Sequence, residues 1–551
     1  MSKSTTVGRY LVHRLEETGL RHVFGIPGDY VLRFYNDLVE SNLAIVGTCT
    51  EIGAGYAADA YARVNGLGAV CVTYCVGGLN ALNAVAGAYA EKSPLVVISG
   101  APGLDERARS PLLHHKVRDF HTQLQIYQMV TVAACAVEDP TMAPRLIDET
   151  LEACVRHKRP VYIELPRDVV AQPCAAPARL DPQQHSSDPA ALDEVLGEAA
   201  SMLRAAKRPV ILAGVEIHRF GLQAPVLALV EKTGLPIAAT LLGKSVITER
   251  HPQYLGVYEG AMGPESVRKV VESADCVLIL GAFMTDINLG VYTAQLDVSR
   301  TINATSERIA IKYHHFDHVL LRDFIEGLVK CDTGKKRDGK FMPKREPKPF
   351  NVRPSRPITV RRFFDRMDEY LDEDSMVICD IGDCLFGALD LTIHRRTEFL
   401  SPAYYTSMGF AVPAAVGAQI GKRKLRPIVF VGDGAFQMTG QELSTVARYG
   451  LNPIVFVLNN KGYTTERLIH DGPYNDVHEW AYHLLPQLLR KGWGCEVRTE
   501  GELDEALATA RTNTQSFSII NVHLDKLDHS NALERLGKRL GKRAGLTQSC
   551  E

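Results

Sequence analysis

The sequence lacks the features that mark several large classes of protein. No apolar run approaches the ~18 residues that a membrane-spanning helix needs. The first residues contain no apolar core of the signal-peptide kind, so we expect a cytoplasmic protein. A formal net charge of -2 argues against a general nucleic-acid binder. The expected partners are therefore small molecules, with neither nucleic acid nor membrane among them.

The cysteines exclude two further classes of site. The 12 cysteines form no C-x-x-C pair, and their spacing does not fit a zinc site. Several lie in apolar runs, including Cys71, Cys75 and Cys276, where we predict small buried residues in a reducing compartment. No G-x-G-x-x-G fingerprint follows a predicted strand, which disfavours a nicotinamide oxidoreductase.

Two polar, proline-containing stretches divide the chain into three blocks. These stretches, roughly 171–189 and 332–357, lack apolar periodicity and are interpreted as linkers. The second is rich in lysine, but it also contains acidic residues and no aromatic series, so we interpret it as solvated. The predicted domains are 1–180, 190–335 and 356–551, each of ordinary domain size.

Each block alternates short apolar runs with longer amphipathic segments. Runs of this kind are typical of parallel strands covered on both faces. The intervening segments are long enough for crossover helices. We therefore predict an α/β fold with three doubly wound parallel-sheet domains in series. The predicted strands are LAIVGTC, AVCVTY, LVVISG and PVYIEL in the first block, PVILAG, PIAATL and CVLILG in the second, and MVICDI, PIVFVG, PIVFVL and FSIINVHL in the third.

A polar motif joins the ends of two predicted strands in the third block. Gly432-Asp433-Gly434 follows one strand, and Asn459-Asn460 follows the next, after a predicted helix. The carboxyl ends of strands are where open α/β sheets bind ligands. Magnesium takes a carboxylate together with phosphate oxygens. Glycines let the backbone approach phosphate, and a helix N-terminus favours an anion. The motif therefore predicts a magnesium–diphosphate site.

This motif resembles that of the thiamine-diphosphate-dependent 2-oxo acid decarboxylases, such as pyruvate and indolepyruvate decarboxylases, and the resemblance extends over the whole chain. It implies thiamine diphosphate and Mg²⁺ as cofactors. It assigns the metal to Asp433, Asn460 and the main-chain carbonyl of Gly462. The resemblance assigns these residues to the cofactor in this block: Gly382, Asp383, Gly432, Asp433, Gly434, Ala435 and Asn460.

Three further residues resemble those that activate and shape the cofactor. Glu51 follows the strand LAIVGTC and precedes a helix rich in glycine and alanine. The resemblance implies that its carboxylate acts on the aminopyrimidine ring. It also implies that Met408 holds the cofactor bent and that the main-chain carbonyl of Thr406 accepts the 4′-amino group. Many relatives carry isoleucine at the position of Met408, and methionine is a shape-adaptable substitute.

Four residues point to the reaction itself. Asp29 lies in an early loop, His114 and His115 are adjacent, and Glu466 follows the metal motif. Groups of this kind can exchange protons near neutral pH. All four match the proton-handling residues of 2-oxo acid decarboxylases. Acetohydroxyacid synthases and the related oxidases as a rule lack the histidine pair. The resemblance therefore implies non-oxidative decarboxylation to an aldehyde and CO₂.

The resemblance also places Tyr292, Tyr405 and Thr465 beside the substrate side chain. Bacterial pyruvate decarboxylases carry tryptophan and isoleucine in place of Tyr405 and Thr465. A methylene-scale change in a pocket shifts discrimination by roughly 1–3 kcal/mol. We expect a broad enzyme that favours phenylpyruvate, indolepyruvate or medium aliphatic 2-oxo acids, although a large residue at Tyr292 favours smaller substrates. A pyruvate decarboxylase proper and a carboligase or synthase of the same superfamily stay open as alternatives.

The resemblance finally implies an assembly. In the family the site lies between the first domain of one subunit and the third domain of another. We therefore expect a homodimer as the minimal active unit and, as is usual in the family, a homotetramer.

Overall fold

The computed structural model describes residues 4–176, 186–337, 349–394 and 399–543. Three large β-sheets follow one another along the chain, and each lies between helices. No helix in these ranges is both long and apolar enough to cross a membrane. The central parts of both predicted linkers, 177–185 and 338–348, lie outside the described residues.

The first sheet has six parallel strands in the order β3-β2-β4-β5-β7-β6, and β1 and β8 form a separate antiparallel pair. The strands are β1 (Ser4–Thr6), β2 (His22–Gly25), β3 (Ala44–Gly47), β4 (Gly68–Val72), β5 (Leu95–Ala101), β6 (Ala133–Ala136), β7 (Val161–Pro166) and β8 (Pro173–Ala175). The helices are α1 (Val7–Glu17), α2 (Leu32–Val39), α3 (Glu51–Asn65), α4 (Val76–Ala90), α5 (Leu104–Arg107), α6 (Thr122–Gln128) and α7 (Ala143–His157).

The central sheet has seven strands in the order β11-β10-β9-β12-β13-β14-β15, of which β14 and β15 run antiparallel to their neighbours. The strands are β9 (Pro209–Ala213), β10 (Ile237–Ala239), β11 (Tyr254–Val257), β12 (Cys276–Leu280), β13 (Thr301–Ala304), β14 (Ile309–Ile311) and β15 (His314–Phe316). The helices are α8 (Pro189–Ala205), α9 (Val215–Arg219), α10 (Gln223–Thr233), α11 (Glu265–Glu272) and α12 (Leu321–Lys330).

The third sheet has six parallel strands in the order β17-β16-β18-β19-β21-β20. The strands are β16 (Ser375–Cys379), β17 (Phe399–Leu400), β18 (Arg426–Gly432), β19 (Ile454–Asn459), β20 (Trp493–Val497) and β21 (Ser518–His523). The helices are α13 (Val360–Tyr370), α14 (Asp383–Ala388), α15 (Ala411–Gly421), α16 (Asp433–Thr439), α17 (Leu443–Arg448), α18 (Thr464–Ile469), α19 (Leu485–Leu489), α20 (Glu500–Thr512) and α21 (Asn531–Arg543).

The third sheet is buried on both faces, as its continuous apolar strands predict. Along β18, Val429 and Val431 pack into a core that is shared with the first sheet. Their neighbours Ile428 and Phe430 pack into a second core on the opposite face. The predicted α/β class with three serial sheet domains is confirmed, and each predicted apolar run contains a strand.

The sheet edge of the central domain and the first linker differ from the predicted pattern. The central sheet is mixed, because the short strands β14 and β15 fold back on its edge. The beginning of the first predicted linker is also structured: β8 pairs with β1, and Cys174 in β8 is buried. Both features arise from three-residue strands, which are too short for a period of two to show in the sequence.

The first and third sheets pack together through helices α3 and α15. A Cβ atom on Gly417 of α15 would lie 1.7 Å from the carbonyl oxygen of Ala57 in α3. Only glycine allows the two helices to approach so closely. This contact helps to hold the first and third domains together within one chain.

Candidate active site

Asp433 lies at the end of β18 as the first residue of α16. Its side chain is 2% exposed. Oδ1 accepts a hydrogen bond from the Gly434 amide at 2.7 Å, and Oδ2 accepts one from the Gly462 amide at 3.1 Å. Asn460, after β19, is also buried, and its amide nitrogen donates to Thr464 Oγ1 at 2.5 Å. The GDG motif and the second asparagine therefore meet at one sheet edge.

The donor set at this edge fits Mg²⁺. Burial raises the pKa of Asp433 to about 6, although backbone N–H groups act in the opposite direction. A buried carboxylate of this kind is stabilised by a cation. A Cβ atom on Gly432 would have no atom within 4 Å, so open space adjoins the main chain immediately before Asp433. Carboxylate, amide and carbonyl oxygens are the hard ligands that magnesium takes beside phosphate.

Gly462 can only be glycine in this arrangement. Its φ is +150°, and a Cβ atom there would lie 2.0 Å from the carbonyl oxygen of Asn475. Ordinary van der Waals contact begins well beyond that distance, so a side chain would displace the backbone that faces Asp433.

Gly382 and Asp383 lie on the neighbouring strand end, after β16. Gly382 has a left-handed φ of +81°, and its Cβ position lies 3.4 Å from Thr465 Oγ1. Asp383 is the first residue of α14, and its Oδ2 accepts a hydrogen bond from the Ser530 amide at 2.8 Å. Within the described chain its Oδ1 has no hydrogen-bond partner, and burial raises the pKa of Asp383 to about 6. Ala435, in the first turn of α16, is buried. These residues therefore adjoin the same sheet edge as Asp433.

Glu51 is the first residue of α3 and is half-buried. Its carboxylate accepts a hydrogen bond from Asn80 Nδ2 at 2.7 Å. A Cβ atom on Gly77 would lie 3.4 Å from Glu51 Oε1, so small residues border the carboxylate. Asn80 was not identified from the sequence. It lies one turn into α4 without a motif of its own, and only the packing of α4 against α3 brings it to Glu51.

Asp29, His114 and His115 form a second cluster in the first domain. His114 Nε2 and Asp29 Oδ2 are 2.8 Å apart. One ligand-type atom from each of the three side chains lies within 4.8 Å of the others. The ring of Tyr30 stacks on His114 with centroids 4.7 Å apart. Arg167 lies 3.6 Å from Asp29. Tyr30 and Arg167 were not identified from the sequence, because an aromatic residue next to Asp29 and an arginine in a distant loop carry no pattern.

The fourth predicted proton-handling residue lies in the other domain. Glu466 is exposed on α18, two residues after Thr464, which bonds to Asn460. The side chains of Asp29 and His114 are likewise open, at 42% and 57% exposure. The chain thus presents an exposed cluster on the first domain and the exposed Glu466 on the third.

The segment before α15 connects the two domains. Thr406 has a left-handed φ of +57°, and Met408 packs against the shared core. The Tyr405 hydroxyl donates to Asn83 Oδ1 of α4 at 3.1 Å. Tyr292 lies in a loop after β12 of the central sheet, with a φ of +60° and 62% exposure.

Sequence comparisons agree with this architecture. Three family models of thiamine pyrophosphate (diphosphate) enzymes match in series: the N-terminal TPP-binding domain at residues 5–127, the central domain at 196–328 and the C-terminal TPP-binding domain at 380–522. The chain is 33% identical to a probable pyruvate decarboxylase of Schizosaccharomyces pombe, over 99% of this chain and 97% of that protein.

Two further relatives are named as decarboxylases of indole-3-pyruvate and of alpha-keto acids in general. The chain is 35% identical to the indole-3-pyruvate decarboxylase of Azospirillum brasilense, over 95% of this chain and 96% of that protein. It is 34% identical to an alpha-keto-acid decarboxylase of Mycobacterium leprae, over 96% and 95% of the two chains. On its three matched domains and these full-length relatives, the chain belongs to the thiamine-diphosphate enzyme family, as a 2-oxo acid decarboxylase.

Proposed function

We propose that this decarboxylase acts on phenylpyruvate, indolepyruvate or medium aliphatic 2-oxo acids, with Mg²⁺ holding the diphosphate. The observation that carries the magnesium part of the proposal is the buried Asp433 carboxylate, which accepts the Gly462 amide and follows Gly432, whose Cβ position faces open space. This arrangement offers magnesium a hard oxygen ligand. The start of α16 would favour the diphosphate anion that the magnesium binds. Asn460 and the Gly462 carbonyl would complete the protein's share of the metal ligands.

Thiamine diphosphate supplies the nucleophilic carbon and the electron sink for the loss of CO₂. The chain's own groups bind the cofactor and handle protons. Glu51 would exchange a proton with the aminopyrimidine ring, and Asn80 orients its carboxylate. Asp29, His114 and His115 would deliver the proton that completes the aldehyde. Glu466 would assist at the step in which CO₂ leaves.

The proposed substrate preference rests on three side chains. Thr465 Oγ1 lies 3.4 Å from the Cβ position of Gly382, and threonine would fill less of the pocket than isoleucine. Tyr405 is tied to Asn83 and offers a shorter aromatic wall than tryptophan would. Tyr292 would bound the far end of the pocket. Each methylene-scale change is worth roughly 1–3 kcal/mol in substrate discrimination.

The proposed active unit is a homodimer, and we propose a homotetramer as the full assembly. The exposure of His114 and Asp29 on one domain and of Glu466 on another supports a site that is completed by a second subunit. We also propose a cytoplasmic location and three domains with the limits 1–180, 190–335 and 356–551.

The experiment is a measurement of kcat/KM on pyruvate, 2-oxoisovalerate, phenylpyruvate and indolepyruvate with saturating thiamine diphosphate and Mg²⁺. We expect the highest value on one of the three larger acids, and loss of activity with a chelator that Mg²⁺ restores. Highest kcat/KM on pyruvate would favour the pyruvate decarboxylase alternative. Formation of a hydroxyketone as the main product, instead of free aldehyde, would favour the carboligase alternative.

A further inference from the structure

The loop that precedes Glu51 is held by the third domain of the same chain. Glu442 ends a short 3₁₀ turn that continues α16, and its side chain is fully buried. Its Oε1 accepts hydrogen bonds from both the amide and the hydroxyl of Thr50, each at 3.1 Å. The Cys49 amide donates to both oxygens, to Oε1 at 3.2 Å and to Oε2 at 3.1 Å. One carboxylate thus accepts the backbone N–H groups of both residues immediately before Glu51, together with the Thr50 hydroxyl.

This carboxylate also lies at the N-terminus of α3. Thr50 caps the helix by accepting the Gly53 amide at 3.0 Å. A Cβ atom on Gly53 would lie 2.1 Å from Glu442 Oε1, so the carboxylate reaches the first turn only because residue 53 is glycine. A negative charge is favourable at a helix N-terminus. Glu442 therefore helps to fix where α3 begins, and Glu51 is the first residue of that helix.

Neighbours of Glu442 hold the rest of the same loop. The Thr445 hydroxyl donates to Glu442 Oε2 at 2.7 Å, which fixes the carboxylate from behind. The Tyr449 hydroxyl accepts the Gly47 amide at 2.7 Å. The Cys49 thiol lies 3.3 Å from the Gln441 carbonyl oxygen as a donor. The segment 441–449 thus follows the loop from the end of β3 to the start of α3.

The first and third domains do not need the hydrogen bonds of Glu442 in order to pack together. Apolar packing, including the close contact of α3 with α15, already joins them. A buried carboxylate is costly unless its hydrogen bonds are satisfied. The donors to Glu442 described above come from the loop before Glu51 and from Thr445, which makes the contact specific for that loop.

We propose that Glu442 is a positioning residue that sets the location of the Glu51 carboxylate relative to the cofactor. The inference rests on the proposed role of Glu51. Glu442 itself acts through the backbone of Cys49 and Thr50 and the start of α3. A displacement near 1 Å at a reacting group can cost about 100-fold in rate, so a modest shift of this loop is sufficient for a measurable effect.

The first test variant is Glu442→Gln, which keeps the shape but replaces an acceptor oxygen with an NH₂ group that faces N–H donors. The second is Gly53→Ala. It keeps the glutamate at position 442, but the added Cβ atom would push the Glu442 carboxylate away from α3. Glu51→Gln is the reference for loss of the proposed proton partner. Gln419→Ala is the matched control, because Gln419 is buried in the third domain and bonds to Asn452 instead of the loop.

Three measurements need no turnover: amide exchange, C2 proton exchange and the Kd of the cofactor. Hydrogen–deuterium exchange of the backbone amides at residues 47–53 is followed in the cofactor-free protein. Proton exchange at thiamine C2 is followed by quenched-flow NMR in the protein loaded with thiamine diphosphate and Mg²⁺, together with the Kd of the cofactor. We expect both loop variants to raise amide exchange at 47–53 and to slow C2 exchange by about tenfold or more, with the Kd changed by less than about threefold. The Gln419→Ala control should change neither exchange rate.

The outcomes separate the inference from the proposal beneath it. If Glu51→Gln slows C2 exchange while both Glu442→Gln and Gly53→Ala leave it unchanged, the positioning role is wrong and the role of Glu51 stands. If Glu51→Gln leaves C2 exchange unchanged, both fail. If Glu442→Gln does not fold, Gly53→Ala decides, since it disturbs the same contact from the other side.

Discussion

Asp380 gives a prediction whose size follows from the structure. It follows β16 and is fully buried. Its Oδ1 accepts hydrogen bonds from the amides of Ile381 and Gly409 at 3.0 and 3.1 Å, and its Oδ2 accepts that of Ala411 at 2.9 Å. The carboxylate therefore anchors the segment that carries Met408. Burial raises the pKa of Asp380 from its usual 3.8 to about 6, against the effect of these N–H groups.

The sign of the pH dependence follows from the raised pKa. Below pH 4 the carboxyl is protonated in both the folded and the unfolded chain. As the pH rises from 4 to 6 the unfolded chain loses the proton first, so the folded state loses stability, and above pH 6 the loss is complete. A shift of about two units corresponds to ~3 kcal/mol, at about 1.4 kcal/mol per unit. About 1 kcal/mol is already lost at pH 4.5, which leaves ~2 kcal/mol between pH 4.5 and 7.5.

The perturbation is Asp380→Asn, which is neutral at every pH. Its amide nitrogen cannot accept an N–H group, which costs ~1–3 kcal/mol independently of pH. Relative to wild type, the variant should therefore gain ~2 kcal/mol in unfolding free energy between pH 4.5 and 7.5. At about 2.1 cal/mol/K per residue over the 551 residues, this gain is close to 2 °C in Tm for a chain that unfolds as one unit.

The assay is thermal unfolding of the cofactor-free wild type and variant in matched buffers across this pH range. Asp193 is exposed, and Asp193→Asn serves as the control. Its Tm should change with pH as the Tm of wild type does. A Tm difference between Asp380→Asn and wild type that stays constant from pH 4.5 to 7.5, or that changes in the opposite direction, would refute the reasoning.

Three further outcomes are expected. Asp433→Ala should abolish tight binding of thiamine diphosphate, since it removes the carboxylate of the proposed metal site, and near-normal cofactor retention after gel filtration would contradict the assignment. Thr465→Ile combined with Tyr405→Trp should move the ratio of kcat/KM for pyruvate over phenylpyruvate upward by about tenfold or more; an unchanged ratio would show that these side chains do not line the pocket. Gly462→Ala should lower Tm and weaken Mg²⁺-dependent cofactor binding, because its Cβ would meet the Asn475 carbonyl at 2.0 Å, and equal Tm values by calorimetry would count against that strain.

The sequence was most informative where a local pattern reports a local structure. The apolar runs predicted the long central strands, because a strand covered on both faces has apolar residues at successive positions. Two strands that were not predicted have weaker signals: Ala133–Ala136 contains no β-branched residue, and Trp493–Val497 lies half-exposed at a sheet edge. Neither has the continuous run of β-branched and other apolar residues that indicates a buried strand.

The candidate site divides in the same way. The sequence by itself determined where the candidate cofactor motif lies, since Gly432, Asp433 and Asn460 lie at the ends of consecutive apolar strands, and parallel strands bring those ends to one edge. Only the tertiary structure decided which groups support the other candidate residues, Glu51 and His114. Asn80 beside Glu51, Tyr30 on His114 and Glu442 beneath the Glu51 loop are positioned by contacts between separate elements. Glu442 lies 392 positions from Thr50, and no pattern along a chain encodes the distance between residues that far apart.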